Sequence, residues 1–386
     1  MGDRMGEPII DCEYFSAGVC RSCTHLETPY NEQLAAKFST VRELIDAKVW
    51  LPAVASKQES FRNKVKLVVS GSIAQPKLGI ADADLRNCPL PTTGIRLAIA
   101  PIAEFIRECV IQPYNPMTDT GVLKYVIITE STTGELMVRF VARRRGVQGI
   151  LFKKYERLRE LVPMLAVCTL NVQPERKAII EGTEEILISE QSSLPMPIVV
   201  SDPAQEMTAG VQRLELELRP QSFFQTNTEM AEVLYARAAQ WAQGAHSAWD
   251  LYCGVGGFAL ALAQAGVKNV VGVEVSDDAV AAGNEQAARS FPGVVSFVAS
   301  DVDEWVRAQE TTPEVVVVNP PRRGIGAKMA QWLEESEVPT VIYSSCNARG
   351  LAADLEKMPS YSVEQAQMLD MFPHTDHSET IALLKR

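Results

Sequence analysis

From Thr228 to the C-terminus, short apolar runs alternate with helical stretches, and this rhythm constrains the fold more than any other feature. Candidate strands fall at 247–251, 269–275, 294–299, 314–319, 339–343, 361–368 and 379–384. Runs this short, separated by helix-length segments, predict a doubly wound α/β domain. Its first strand runs into Asp250-Leu-Tyr-Cys-Gly-Val-Gly-Gly257, a Gly-rich turn leading into a helix. Glycines let backbone approach a ligand closely, and a helix start offers free N–H groups.

The residues ahead of this domain follow a different pattern. Residues 10–29 hold three cysteines and read as an irregular ligand loop, followed by a helix from Asn31 to Ala47. Between Arg62 and Val200, strands are expected at Val65–Val69, Tyr125–Thr129, Met137–Val141 and Val167–Val172, with helices near 95–110 and 147–163. That mixture predicts an α+β unit with a mainly antiparallel sheet. Ser192-Ser-Leu-Pro-Met-Pro197 and Ser201-Asp-Pro203 mark a loop-rich boundary, and Val211–Leu218 alternates as a strand. We therefore expect three segments: a cysteine-rich loop and helix over 1–60, an α+β central RNA-binding domain over 61–203, and a cofactor-binding α/β domain over 204–386.

A chain of 386 residues has room for two or three domains, and an apolar content of 46% is ordinary for a globular protein. No run of about 18 apolar residues suggests a membrane span. Met1-Gly-Asp-Arg-Met-Gly-Glu-Pro8 lacks the apolar stretch of a signal peptide, so we expect a cytoplasmic protein. The net charge of −11 sits in residues 201–386. The front half instead holds local basic clusters, Arg62, Lys64 and Lys66, then Arg143, Arg144 and Arg145, then Lys153, Lys154, Arg157 and Arg159. Such clusters meet a phosphate backbone through local field rather than net charge, or else simply solvate a surface.

Glu274 ends the second strand of the α/β domain, 20 positions after Gly254. An acid there can bind two ribose hydroxyls. A dinucleotide would want G-x-G-x-x-G, and Ala259 stands at the third glycine position. S-adenosylmethionine fits better, because it needs ribose and adenine contacts but no pyrophosphate cradle. Asp301, after the next strand, is a candidate for the adenine edge or an N-cap for the helix that follows.

Two further motifs carry reactive groups. Val315-Val-Val-Val-Asn319-Pro-Pro-Arg322 is a buried strand ending in Asn-Pro-Pro. Enzymes that methylate exocyclic amines usually place an aromatic residue after such a Pro-Pro; Arg322 suits a phosphate or a carbonyl oxygen instead. Thr340–Tyr343 leads into Ser345-Cys346-Asn347, which sets a cysteine at a strand end where it can act as a nucleophile. A lone cysteine is most often a small buried hydrophobe, and it is the neighbouring motifs that favour chemistry here. His374-Thr-Asp-His377-Ser-Glu379 gathers titratable groups before the last strand, either as a site or as a solvated turn.

A thiolate, a base and a methyl donor suggest one reaction in particular. Carbon 5 of a pyrimidine is a poor nucleophile, but thiolate addition at carbon 6 creates an enolate that can take a methyl group there. A base must then remove the carbon-5 proton so that the thiolate is eliminated. Cys12, Cys20, Cys23 and Cys88 form a second constellation. Four soft ligands suit zinc or an iron–sulfur cluster, and spacing alone does not separate the two. Cys109, Cys168 and Cys253 fall in apolar segments or the Gly turn and read as packing residues.

These residues together resemble the bacterial RNA 5-methyluridine methyltransferases. The shared motifs are Phe223-Phe-Gln225-Thr-Asn227, Asp250-x-Tyr252-Cys-Gly-x-Gly-Gly, Asn319-Pro-Pro-Arg, Ser345-Cys346-Asn347 and His377-Ser-Glu379. The resemblance implies a Rossmann-like S-adenosylmethionine methyltransferase domain, with Cys346 as nucleophile and Glu379 as the base that takes the carbon-5 proton. It places Gln225, Tyr252, Gly254, Glu274, Asn319 and Asp301 around the cofactor, although many relatives carry Asp where Asn319 stands. The cysteine spacing resembles the family's 23S rRNA branch, which implies a [4Fe-4S] cluster on Cys12, Cys20, Cys23 and Cys88 and a target of the uracil-747 type. The expected partner is 23S rRNA, with no DNA or membrane partner and a monomeric state. The rival readings are a tRNA uracil-C5 methyltransferase, a non-catalytic iron–sulfur RNA-binding protein and a nicotinamide-dependent oxidoreductase.

Overall fold

The computed structural model describes residues 10–80, 83–176, 179–200 and 213–386. The boundary expected at Ser201-Asp-Pro203, and the first two residues of the strand expected from Val211, lie outside the described residues.

The N-terminal segment contributes α1 (Glu13–Ser16), α2 (Tyr30–Leu44) and β1 (Ala47–Trp50). β2 (Lys64–Gly71), β3 (Pro76–Ile80), β4 (Ala83–Asp84), α3 (Thr93–Glu108), β5 (Leu123–Glu130), β6 (Leu136–Ala142), α4 (Gln148–Leu161), β7 (Leu165–Val172) and β8 (Glu184–Leu187) follow. Their sheet runs β4-β3-β2-β5-β6-β7-β8, with β6 and β7 as its parallel pair. This is the mainly antiparallel α+β unit that the alternation predicts. Val65, Leu67 and Val69 face its core, where Ile95, Ile99, Ile102 and Ile106 of α3 repeat at helical spacing. The opposite face mixes buried apolar residues such as Ile127, Met137 and Val167 with polar ones. There Arg139 is fully buried and paired with Glu181 and Glu185, both at 2.6 Å.

β9 (Leu194–Val199) and β10 (Arg213–Leu218) pair as an antiparallel ribbon, so most of the Ser192–Pro197 stretch expected as a loop-rich boundary is a strand, its Leu194, Met196 and Ile198 buried in the core. The α/β domain then adds α5 (Thr228–Trp241), β11 (Ser247–Leu251), α6 (Gly257–Gln264), β12 (Asn269–Glu274), α7 (Asp277–Ser290), β13 (Val295–Ala299) and α8 (Val302–Arg307). It closes with β14 (Val315–Val318), α9 (Gly326–Glu335), β15 (Thr340–Ser345), α10 (Ala348–Leu355), β16 (Ser362–Leu369) and β17 (Glu379–Lys385). The sheet order is β1-β16-β17-β15-β14-β11-β12-β13. All four valines of β14 are buried, as a central parallel strand covered on both faces requires. β11 pairs with β12 on one side and β14 on the other, so the strand order reverses there. Ligands of open α/β sheets bind outside the carboxyl ends of the strands at such a reversal.

Residues 47–50 form an edge strand that the sequence pattern does not signal. β1 lies parallel to β16, with Ala47 opposite Val363, and so belongs to the C-terminal sheet. Its four residues are too few for periodicity, and only the long-range pairing makes them a strand. The same segment brings α2 onto the sheet, where Val41 and Ile45 join the core of β14 and β15.

Candidate active site

The Gly-rich turn between β11 and α6 sits at the strand reversal. Gly254 has φ +55° and Gly256 φ +80°, values that L side chains rarely adopt. The glycines serve different ends. A Cβ on Gly256 would lie 2.3 Å from the Phe297 ring, and one on Gly257 would lie 2.5 Å from the Tyr235 ring. Those two let α6 pack closely, whereas a Cβ on Gly254 would meet only ordinary contact at the Phe223 carbonyl, 3.5 Å away. Of the three, Gly254 alone leaves room for a ligand. Tyr252 shares the strain, with φ +63°.

Glu274 ends β12 beside this turn. Its carboxylate accepts from the Gly254 amide at 3.1 Å and from the amides of Val275 (2.9 Å) and Ser276 (3.2 Å). Val275 and Phe223 are large apolar residues left exposed on either side of the turn. Asp301 accepts from the Glu304 amide at 3.1 Å and is the N-cap of α8. Asn319 stands at the end of β14, its amide 3.4 Å from the Leu251 carbonyl. Gln225 is buried just before α5, and its carbonyl accepts from Asn63 of the central domain at 3.0 Å. Asp250 is fully buried. One of its oxygens takes the Ala259 amide, the other has no partner, and burial pushes its pKa up to about 8.

Cys346 follows β15 directly. Ser345 Oγ donates to the Asn347 carbonyl (3.0 Å) and accepts from the Asn347 amide (3.1 Å), which closes a tight turn around the cysteine. Asn347 Nδ2 donates to the Arg322 carbonyl at 2.9 Å, tying this turn to the Asn-Pro-Pro-Arg loop. The function of the three-residue motif is therefore partly geometric. β15 and β17 pair as far as Ser345 opposite Thr380, one residue short of Cys346 and of Glu379, and this brings the two close enough for the Glu379 charge to act on the thiol. Burial and the Glu379 charge push the Cys346 thiol up, while Arg322 opposes them through charge and a hydrogen bond.

Glu379 is buried, with Ser344 Oγ donating to it at 2.5 Å. Burial raises its carboxyl to about 7. A base with that pKa is matched to work near neutral pH. Two partners escaped the sequence analysis. Ser344 lies two residues before Cys346, on the same side of the strand, so the period of two could have pointed to it. Arg322 was read as a group for phosphate or carbonyl oxygen, yet it stands beside the thiol; nothing in its local sequence signals that.

His374 is buried rather than in a solvated turn. Its backbone amide donates to Gln33 Oε1 at 3.0 Å, and its ring Nε2 lies 3.0 Å from the Gln58 carbonyl. Those contacts make it a structural tie between the N-terminal segment and the Glu379 loop. The four cysteines expected to act as ligands, Cys12, Cys20, Cys23 and Cys88, come together around one cavity. Burial and the other three thiols push Cys23 up to about 12. Among the described residues, no group of three or more His, Cys, Asp or Glu side chains converges as a metal-ion site.

A mainly parallel sheet with a strand reversal, a Gly turn with its acid, and a cysteine beside a carboxylate are the frame of a cofactor-dependent α/β enzyme. The family described as tRNA (uracil-5-)-methyltransferase matches residues 203–386. The chain is 42% identical to 23S rRNA (uracil(747)-C(5))-methyltransferase RlmC of Halothiobacillus neapolitanus, over 97% of this chain and 99% of that one. It is 39% identical to the protein of the same name from Photorhabdus laumondii, over 97% and 99%. A crystal structure of the Pyrococcus abyssi tRNA (uracil-54, C5)-methyltransferase in complex with S-adenosyl-L-homocysteine matches with a TM-score of 0.75 at 24% identity, over 94% of this chain and 85% of that chain. That last likeness is one of fold. The chain belongs to the RNA uracil-C5 methyltransferase family and is an enzyme of that class.

Proposed function

We propose that this protein methylates carbon 5 of a uridine in 23S rRNA, at the uracil-747 position for which its relatives are named, with S-adenosylmethionine as methyl donor. The observation that carries this reading is the 42% identity along 97% of the chain to an enzyme named for that reaction. The closeness of Glu379 to the Cys346 thiol supports it chemically. Bound in the cleft, S-adenosylmethionine would supply an electrophilic methyl group. The residues suit that ligand: Gly254 is open, the Glu274 carboxylate lies at the turn, Val275 offers apolar surface, and Asp250 holds an unpartnered oxygen behind it. Gln225, Tyr252, Asn319 and Asp301 complete the proposed cofactor contacts.

In the proposed mechanism the Cys346 thiolate bonds to carbon 6 of a uracil that has left its stack. The displaced electron pair makes carbon 5 nucleophilic. After methylation Glu379 takes the carbon-5 proton, and the returning pair expels the thiolate. Arg322, beside the sulfur, favours its ionised form. The test uses RNA containing 5-fluorouridine at the target, from which no carbon-5 proton can be removed. The wild-type chain should form a covalent protein–RNA adduct that survives denaturation, and Cys346→Ala should form none while binding cofactor as before. Methylation of ordinary RNA by the alanine variant would remove Cys346 as nucleophile.

We also read Cys12, Cys20, Cys23 and Cys88 as ligands of a [4Fe-4S] cluster. Four thiols surround one cavity, and Arg62 beside Cys23 and Cys88 offsets their charge. In a cluster of this type each thiolate binds its own iron, so the four need not converge on a point. Protein purified without oxygen should absorb broadly near about 400 nm, as iron–sulfur chromophores do. Serine at any of the four positions should bleach it, whereas Cys168→Ser should not. A colourless protein carrying one equivalent of zinc would favour a zinc site instead.

A further inference from the structure

A second cavity, of about 410 Å³, opens beside Cys346. One wall is a stripe of α2, where Glu32, Ala36 and Thr40 recur every four residues and all three are exposed. The other walls are the start of α10, from Cys346 to Arg349, and the segment from Asp376 to Ser378. Gly254, Glu274, Asn319 and Glu379 do not line it. Of the proposed catalytic and cofactor residues only Cys346 lines it, so the cavity adjoins, at the sulfur, the space where a target uracil would lie between the cofactor cleft, the thiol and the general base.

We propose that this cavity seats the base of the nucleotide next to the target uridine, making it a specificity subsite; the inference rests on the function proposed above. A strand whose uridine reaches Cys346 must carry its neighbour past the same sulfur, and this space begins there. The volume is in the range that takes a ligand of nucleotide size. The lining offers hydrogen-bonding groups, the Glu32 carboxylate, the Thr28 and Thr40 hydroxyls and the Asn347 amide, together with the imidazoles of His25 and His377, on which a base can stack. Unstacked RNA bases are read along their polar edges by such groups. Arg349, exposed at the rim, suits the connecting phosphate. Ala36, in mid-stripe, leaves the space open.

The test crosses a plugged cavity with a missing base. Ala36→Trp fills the cavity from an exposed helix position, and Thr40→Trp does so one turn further on. The substrates are an RNA hairpin carrying the target uridine, and the same hairpin with an abasic ribose on the 5′ or the 3′ side of it. On the intact hairpin each tryptophan variant should lower kcat/KM about tenfold or more, the scale of losing one pocket contact. On one of the two abasic hairpins, wild type and variants should agree within about twofold, because the base that the tryptophan displaces is already gone. Agreement there also shows that the variants are folded. A plug that slows intact and abasic hairpins alike, or slows neither, overturns the subsite. Failure of the wild-type chain to methylate the intact hairpin overturns the proposed function itself, and the subsite with it.

Discussion

Glu379 has a hydroxyl donor in Ser344 and, among the described residues, no ion pair, so burial governs its proton. Its folded pKa, about 7, lies above the ordinary value of 4.5. The native state thus holds the proton more tightly than the unfolded chain does. That contribution to stability is complete below about pH 4.5 and is lost as the pH rises through about 7. Glu379→Gln keeps the shape without the charge. It should match wild type in urea unfolding near pH 4.5 and exceed it by on the order of 3 kcal/mol at pH 8. A gap that does not change with pH would mean that Glu379 is not held protonated. With RNA, the same variant should accumulate the covalent adduct, because elimination needs the carbon-5 proton removed. Normal turnover without adduct would assign the base to another group. Cys346 and Glu379 were both legible in the sequence as candidate residues; their closeness rests on the β15–β17 register, which spans a separation of more than thirty residues.

At the scale of elements, sequence pattern found α2 but ran it to Ala47, where the helix stops at Leu44 and Ala47 opens β1. Its helical spacing was clear, but spacing does not say what its polar positions meet. Lys37 Nζ lies 2.7 Å from Asp370 Oδ1, with both side chains buried, and also donates to the Phe372 carbonyl at 3.0 Å. Tyr30 donates to the other Asp370 oxygen at 2.9 Å. Together with the Gln33–His374 contact, these bonds clamp the segment from Asp370 to Glu379 against the N-terminal helix. Lys37→Met would leave a buried carboxylate without its cation and should cost about 3–5 kcal/mol in urea unfolding. Adding Asp370→Asn removes that stranded charge and should recover part of the loss. A double variant as unstable as the sum of its parts would mean that the pair is not coupled.

Across the whole molecule, a net charge of −11 coexists with an RNA substrate class. The basic clusters seen in the sequence divide once the fold is known. Lys66 pairs with Glu181, Arg143 with Asp119, Arg145 with Glu184 and Arg157 with Glu108. Burial lowers Lys64 to about 8. Arg144, Lys153 and Lys154 are exposed and take no ion pair among the described residues. Changing these three to Gln should weaken RNA binding and flatten the slope of log affinity against log salt by about two, since each phosphate contact to single strands contributes roughly 0.7. Cofactor affinity should stay the same. An unchanged slope would place the phosphate track elsewhere.

The sequence by itself determined the α/β alternation of the C-terminal domain, the central strands of the antiparallel sheet, the Gly turn with its acid, and the residues able to do chemistry. Those features depend on local periodicity, turn composition and side-chain type, all of which are written within a few positions of one another. Tertiary structure alone decided that residues 47–50 would extend the C-terminal sheet, that Gly256 and Gly257 would serve packing, that Arg322 would lie beside a thiol, and that Lys66, Arg143, Arg145 and Arg157 would be neutralised. Each of these outcomes depends on a partner distant in the chain, and the strength of a charge or a thiol depends on what surrounds it.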